Sequence, residues 1–332
     1  MVFNNVELHN VDYVEKGEHG YVMYRVSKDT RDKLNPRARD VASHHTTGVE
    51  IRFCMNCDKA VLKLFVNGEN RNRFLPCQLF YGGIHSGWVW YNPINLNDGL
   101  NEIVIDNVKL EEKVAEKSKK EGHTFDYSVI RVLLGSADVE FVGLEGDVRP
   151  PLDSEKPQKK ILFYGSSITH GSLGCMPSLS FVNIIAGHFK VDVFNKGFPG
   201  TCHCSNAMAD YIAERNDFDF AVCEVATNIY GAIPDEELTE RIKYLINVYR
   251  EKTGKKLIII DNLILNDKKE DCRALVKKAV EAAGYDGAIY VNGRCLLESE
   301  SNVTADMTHP NPMGQIKIAE NLIKIIQQNS LI

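Results

Sequence analysis

The chain has 332 residues, of which 44% are hydrophobic and 25% charged, and its net charge is −6. That composition excludes a disordered, collagenous or coiled-coil chain, and at roughly 100–200 residues per domain the length suggests two domains. The mild acidity gives no electrostatic reason to expect nucleic acid or an anionic membrane as a partner.

No apolar run reaches the ~20 residues a membrane helix needs. The longest, Leu257 to Leu265, is broken by Asp261 and Asn262. Met1-Val2-Phe3-Asn4-Asn5 is neither basic nor strongly apolar, so no signal peptide is read and a cytoplasmic location is expected. In that reducing setting the nine cysteines are expected as free thiols.

Residues 1–150 are read as a β-sandwich domain. Short alternating runs lie at Val49–Phe53, Ala60–Val66, Trp88–Tyr91, Glu102–Ile105 and Val129–Leu134. Turn signals such as Asn67-Gly68, Gly82-Gly83 and Asn97-Asp98-Gly99 separate them, as in an antiparallel sandwich. The charge run Lys109 to Glu121 reads as a short exposed helix or an excursion between strands. Residues 151–158 form a polar, proline-rich linker.

From residue 159 to 332 the pattern changes to alternating strands and helices. Strands are expected at Lys160–Tyr164, Val191–Phe194, Phe218–Glu224, Lys256–Asp261 and Ala288–Val291. Helices are expected near 179–189, 204–214, 235–252, 268–283 and 312–328, with Pro312 suited to a first turn. Five apolar strands alternating with helices imply a parallel sheet covered on both faces. Ligands of such sheets bind beyond the carboxyl ends of the strands.

Four segments fall at that edge. Tyr164-Gly165-Ser166-Ser167-Ile168-Thr169-His170-Gly171 follows the first strand. A Ser at a strand–loop junction is well placed as a nucleophile, although Thr169 stands where a Gly-x-Ser-x-Gly elbow needs its second Gly. Asn195 to Thr201 follows the second strand, and Gly200 can turn its N–H toward a site. Ala226-Thr227-Asn228 follows the third, with an amide donor at Asn228. Asp306-Met307-Thr308-His309 precedes the last helix, and a carboxylate three residues before an imidazole can reach the ring nitrogen away from a nucleophile. Taken singly, the Ser segment reads equally well as a Ser/Gly turn, and the other three read better as turn or loop chemistry than as a site.

Together these blocks resemble the SGNH hydrolase superfamily, the GDSL-type esterases and lipases, over roughly residues 158–332. With its sandwich in front, the chain is similar to two-domain members that include carbohydrate O-acetylesterases. The resemblance implies a flavodoxin-like three-layer α/β/α domain with a five-stranded parallel sheet, behind a jelly-roll-like sandwich. It implies Ser167 as nucleophile, Asp306 and His309 as its triad partners, and Ser167, Gly200 and Asn228 as oxyanion donors. Two departures stand out. The usual Gly-Asp-Ser reads Gly165-Ser166-Ser167, and the usual Gly-x-Asn-Asp reads Ala226-Thr227-Asn228-Ile229.

His170, Thr227, His85 and Trp88 are further candidates for touching substrate. Trp88 and Trp90 share a strand face and would either stack on a sugar or fill the sandwich core. Cys54-Met55-Asn56-Cys57 has zinc spacing, but no second such pair exists, so neither metal nor cofactor is expected. The expected activity is hydrolysis of acetyl or other short-chain esters, with an acylated sugar as the small-molecule partner. A lipase, thioesterase or acyltransferase on the same triad is the alternative, and a non-catalytic carbohydrate-binding protein is the alternative of another class. A homo-oligomer is compatible with the sandwich faces.

Overall fold

A computed structural model of the chain describes residues 1–68, 75–85, 94–107, 112–264 and 270–332. The strand and tryptophans expected at 88–91 lie outside those residues. In the N-terminal half the strands form two antiparallel sheets. One runs Val2–Phe3, Val6–His9, Glu50–Met55, Ile130–Leu134, Pro76–Tyr81 and Ile84–His85 in spatial order. The other runs Gly99–Asp106, Lys59–Val66, Val139–Glu145, Tyr21–Tyr24 and Tyr13–Lys16.

The period-two pattern of Lys59–Val66 explains the packing. Ala60, Leu62, Leu64 and Val66 are buried and meet Ile51, Phe53, Val132 and Phe141 from the sheets' inner faces. Lys63 on the outer face pairs with Glu102 and Glu145. The charge run contains a helix, Glu112–Lys120.

Two short helices, Lys28–Asp32 and Pro36–Asp40, leave the sandwich after Tyr24. Their region places Leu34, Ala38 and Ala42 in one core with Phe198, Met208 and Ile212 of the C-terminal half. Apolar burial therefore joins the two halves directly.

In the C-terminal half the strands are β1 (Lys160–Gly165), β2 (Asp192–Gly197), β3 (Phe220–Glu224), β4 (Leu257–Ile260) and β5 (Ala288–Val291). All pair in parallel, in the order 2-1-3-4-5. The helices are α1 (Ser167–His170), α2 (Phe181–Phe189), α3 (Asn206–Glu214), α4 (Asp235–Thr253), α5 (Glu270–Ala283) and α6 (Pro312–Gln328). Successive strand residues point to opposite faces, which builds three layers. Leu162, Tyr164, Cys223 and Ile259 pack on Met208 of α3, Ile242 of α4 and Val276 of α5. Ile161, Phe163, Val222 and Ile258 pack on Phe181 of α2 and Leu322 of α6.

A buried ion cluster also spans the two halves. Arg52 donates to both carboxylate oxygens of Asp192 at 2.8 and 2.7 Å, and to Glu50 at 2.7 Å. Arg131 takes the other side of Glu50. Burial would raise the Glu50 pKa, but Arg131 and Arg52 bring it down to about 2. All nine cysteines are free thiols. Among the described residues no helix is long and apolar enough to cross a membrane.

Candidate active site

β1 ends at Gly165, and the chain turns at once into the single turn of α1. Ser166 caps that turn, its Oγ accepting from the N–H of Ile168 at 3.1 Å. Ser167 is therefore the first helical residue and stands at the carboxyl edge of β1. A Cβ on Gly165 would lie 2.2 Å from Thr169 Oγ1 and 2.7 Å from Glu224 Oε2. Only glycine leaves room for this tight exit from the strand.

The loop ahead of α6 carries the other two groups. Nε2 of His309 lies 2.7 Å from Oγ of Ser167, and its Nδ1 lies 2.6 Å from Oδ2 of Asp306. The pairs bridge 142 residues and three residues of sequence respectively. With Asp306 ionised, Nδ1–H donates to the carboxylate and Nε2 is left to accept from the hydroxyl. Partial desolvation would raise the Asp306 pKa. The backbone N–H and ring of His309, the Thr304 hydroxyl and the Thr308 N–H outweigh it and hold the carboxyl well below its usual range. The loop is clamped at both ends. Thr304 N–H donates to His309 O at 2.8 Å, and Asn311 caps α6 by accepting from Gly314 N–H.

The remaining candidate donors come from the neighbouring strand ends. Gly200 takes a left-handed φ of +66° after β2. Oδ1 of Asn228 accepts from Cys202 N–H at 3.2 Å, which ties the β3 loop to the β2 loop. The Nδ2 of Asn228 makes no hydrogen bond among the described residues and is free to donate. Ala226, in the place of the family's usual glycine, is also left-handed, at φ +72°. That conformation costs roughly 1–2 kcal/mol for a residue with a Cβ.

Two positioning residues carry no motif. Glu224, at the end of β3, is 1% exposed and receives Ser166 N–H at 2.7 Å, Ser166 Oγ–H at 2.6 Å and Thr169 Oγ–H at 3.1 Å. Thr227 Oγ–H donates to its other oxygen. Burial pushes its pKa up, against those donors. A carboxylate thus sits under the turn that carries Ser167 even though Ser166 replaces the usual Asp beside it. Asn195 of β2 donates from Nδ2 to Thr169 O at 2.9 Å. An acidic residue closing an apolar strand, Phe220–Glu224, was the one visible signal for Glu224.

The other described candidates make no hydrogen bond to the Ser167 hydroxyl. His170 is 2% exposed, with Nε2 at 2.8 Å from Thr47 Oγ1 and Nδ1 at 3.1 Å from Ser172 Oγ. Burial, with Arg25 and His45 nearby, lowers its pKa well below the usual imidazole range. It lines a cleft of about 610 Å³ between the sandwich and the 171–180 loop. Thr227 turns inward to Glu224. His85 rests on Phe80 and lies 3.1 Å from Gln78. Trp88 lies outside the described residues. Among the described residues no three His, Cys, Asp or Glu side chains are grouped to hold a metal.

The model of the GDSL-like lipase/acylhydrolase family matches residues 158–327. No curated protein has a matching sequence. Solved structures share the fold. The salicylyl-acyltransferase SsfX3 of a tetracycline biosynthetic pathway superposes with a TM-score of 0.79 at 15% identity, over 99% of this chain and 96% of that one. A protein of Bacteroides ovatus described as a GDSL-like lipase gives 0.73 at 18% identity, over 98% and 95%. A family two carbohydrate esterase of Clostridium thermocellum, in complex with cellohexaose, gives 0.60 at 15% identity, over 86% and 93%.

Proposed function

The chain belongs to the GDSL-like lipase/acylhydrolase family, and from that premise we propose that it is a serine esterase removing acetyl or other short acyl groups from sugars. The observation that carries the reading is the continuous chain from Ser167 Oγ through His309 to Asp306, at 2.7 and 2.6 Å.

His309 Nε2 takes the hydroxyl proton of Ser167 as Oγ attacks the ester carbonyl. Negative charge collects on the carbonyl oxygen, where Gly200 N–H, Asn228 Nδ2 and Ser167 N–H are the donors to receive it. His309, now protonated and steadied by Asp306, passes the proton to the leaving alcohol. It then draws a proton from water, which attacks the acyl-enzyme and releases the acid. Asp306 stays ionised throughout, in keeping with its depressed pKa.

The sugar preference draws on the likeness to a carbohydrate esterase, and acyl transfer on the likeness to an acyltransferase. Activity on acetylated xylo-oligosaccharides, compared with p-nitrophenyl esters of rising chain length, tests the substrate. A preference for long chains defeats the deacetylase reading. Acyl transfer to an added alcohol in preference to water points to the transferase. Ser167→Ala is expected to abolish hydrolysis and labelling by a fluorophosphonate. Wild-type rates in that variant defeat the mechanism.

A further inference from the structure

The sandwich half brings one charge to the edge of the active site. Asn35 precedes the helix Pro36–Asp40, its Oδ1 accepting from Ala38 N–H at 3.0 Å and its Nδ2 donating to Thr201 O at 3.2 Å. Ala38 is 1% exposed and packs in one core with Phe198 and Cys202. This helix is therefore fixed on both sides of Gly200. Arg37 lies between those two anchors. A Cβ built on Gly200 would sit 3.3 Å from Arg37 Nη1 and 3.7 Å from its Cζ. The guanidinium thus lies against the very glycine whose N–H is an oxyanion donor.

Three other arginines of this region and of α4 are matched. Arg39 is taken by Asp40 at 2.7 and 2.9 Å, Arg31 by Glu15 and Tyr13, and Arg241 by Glu237 and His203 O. The Arg37 side chain is exposed and makes no hydrogen bond or ion pair with any described residue. A planar fork of donors, carried on an anchored helix and left open, fits a carboxylate better than any neutral group.

We propose that Arg37 binds a carboxylate on the ester substrate, so that the enzyme acts on acylated acids, such as acylated sugar acids, in preference to neutral esters. The proposal rests on the esterase reading above and narrows its substrate class. It also gives the sandwich a part in specificity, since Arg37 comes from that half of the chain. A charge-assisted hydrogen bond at an exposed site corresponds to about tenfold in kcat/KM, most of it in KM because the bond is made in the ground state as well.

The test uses two matched ester pairs on the full-length chain. In the first, 4-acetoxybenzoate is compared with 4-acetoxybenzamide, which places the charge on the alcohol. In the second, p-nitrophenyl hemisuccinate is compared with p-nitrophenyl butyrate, which places it on the acyl group. Intrinsic reactivity cancels when the charged-to-neutral ratio of kcat/KM is compared between wild type and Arg37→Gln. The ratio is expected to fall about tenfold in Arg37→Gln for at least one pair, to be partly kept in Arg37→Lys, and to shrink in the wild type as salt is added. An equal ratio in wild type and Arg37→Gln for both pairs overturns the proposal and leaves the esterase reading standing. If the wild type hydrolyses neither the neutral nor the charged esters, the esterase reading itself fails and this proposal falls with it.

Discussion

In the proposed mechanism Asn228 and Glu224 act on the same reaction through different means. Asn228 is anchored by its oxygen to Cys202 N–H, and in the proposed mechanism its nitrogen donates to the developing oxyanion. Asn228→Ala is therefore expected to lower kcat by about 10²–10³ with little change in KM, read from steady-state hydrolysis of p-nitrophenyl acetate. Glu224 touches no substrate; it holds the Ser166 N–H and hydroxyl, and through them the first turn of α1. In Glu224→Gln an amide NH₂ faces donors that need an acceptor. A loss of about 1–3 kcal/mol in stability by urea unfolding is expected, with a fall in kcat rather than a rise in KM. Unchanged kcat at reduced stability would make Glu224 a packing residue only.

Among elements, the end of β2 is the one most dependent on the other half of the chain. Arg25 is 0% exposed and donates to four carbonyls: His45 O at 2.6 Å, Ala42 O at 2.7 Å, and Asn195 O and Gly197 O at 2.9 Å each. Two of these acceptors lie just before Phe198-Pro199-Gly200, so the guanidinium sets where the oxyanion loop begins. Lysine has three donors on one atom and cannot span four carbonyls. Arg25→Lys is expected to lower both the melting temperature and kcat, and the measurements are a thermal melt and an esterase assay on the same preparation. A lowered melting temperature with full kcat would show that the loop holds without Arg25.

Across the whole molecule, burial of titratable groups between the halves links stability to pH. His9 lies with Nε2 2.7 Å from Val193 O and 3.3 Å from Asp192 Oδ1. Burial, aided by Arg52 and opposed by Asp192, lowers its pKa from 6.5 to about 4. The unfolded chain then binds the proton more readily than the folded one. This stability is whole above pH 6.5 and is lost as the pH falls toward 4. Glu50, lowered to about 2, extends the loss further into acid. Melting temperature is expected to drop across pH 6.5 to 4, and His9→Gln, which keeps a donor for Val193 O, to flatten that stretch. An equal slope in wild type and variant would remove His9 from the account.

The alternation of apolar strands and helices after residue 159 determined the parallel sheet, because each element's burial pattern is local and periodic. The helix expected near 235–252 spans Asp235–Thr253, and the one near 312–328 starts at Pro312. The blocks at Ser167, Gly200, Asn228 and Asp306 to His309 were legible for the same reason: the topology sends every β-to-α loop to one edge. The strands of residues 1–24, the helix at Pro36–Asp40 and the short α1 went unread, being two to five residues long and without a full period. Only the tertiary structure could bring Glu224 beneath Ser166, Arg25 onto β2 and Arg37 beside Gly200. Each of those contacts joins segments 58 to 172 residues apart, and no local pattern encodes which distant backbone a buried charge will meet.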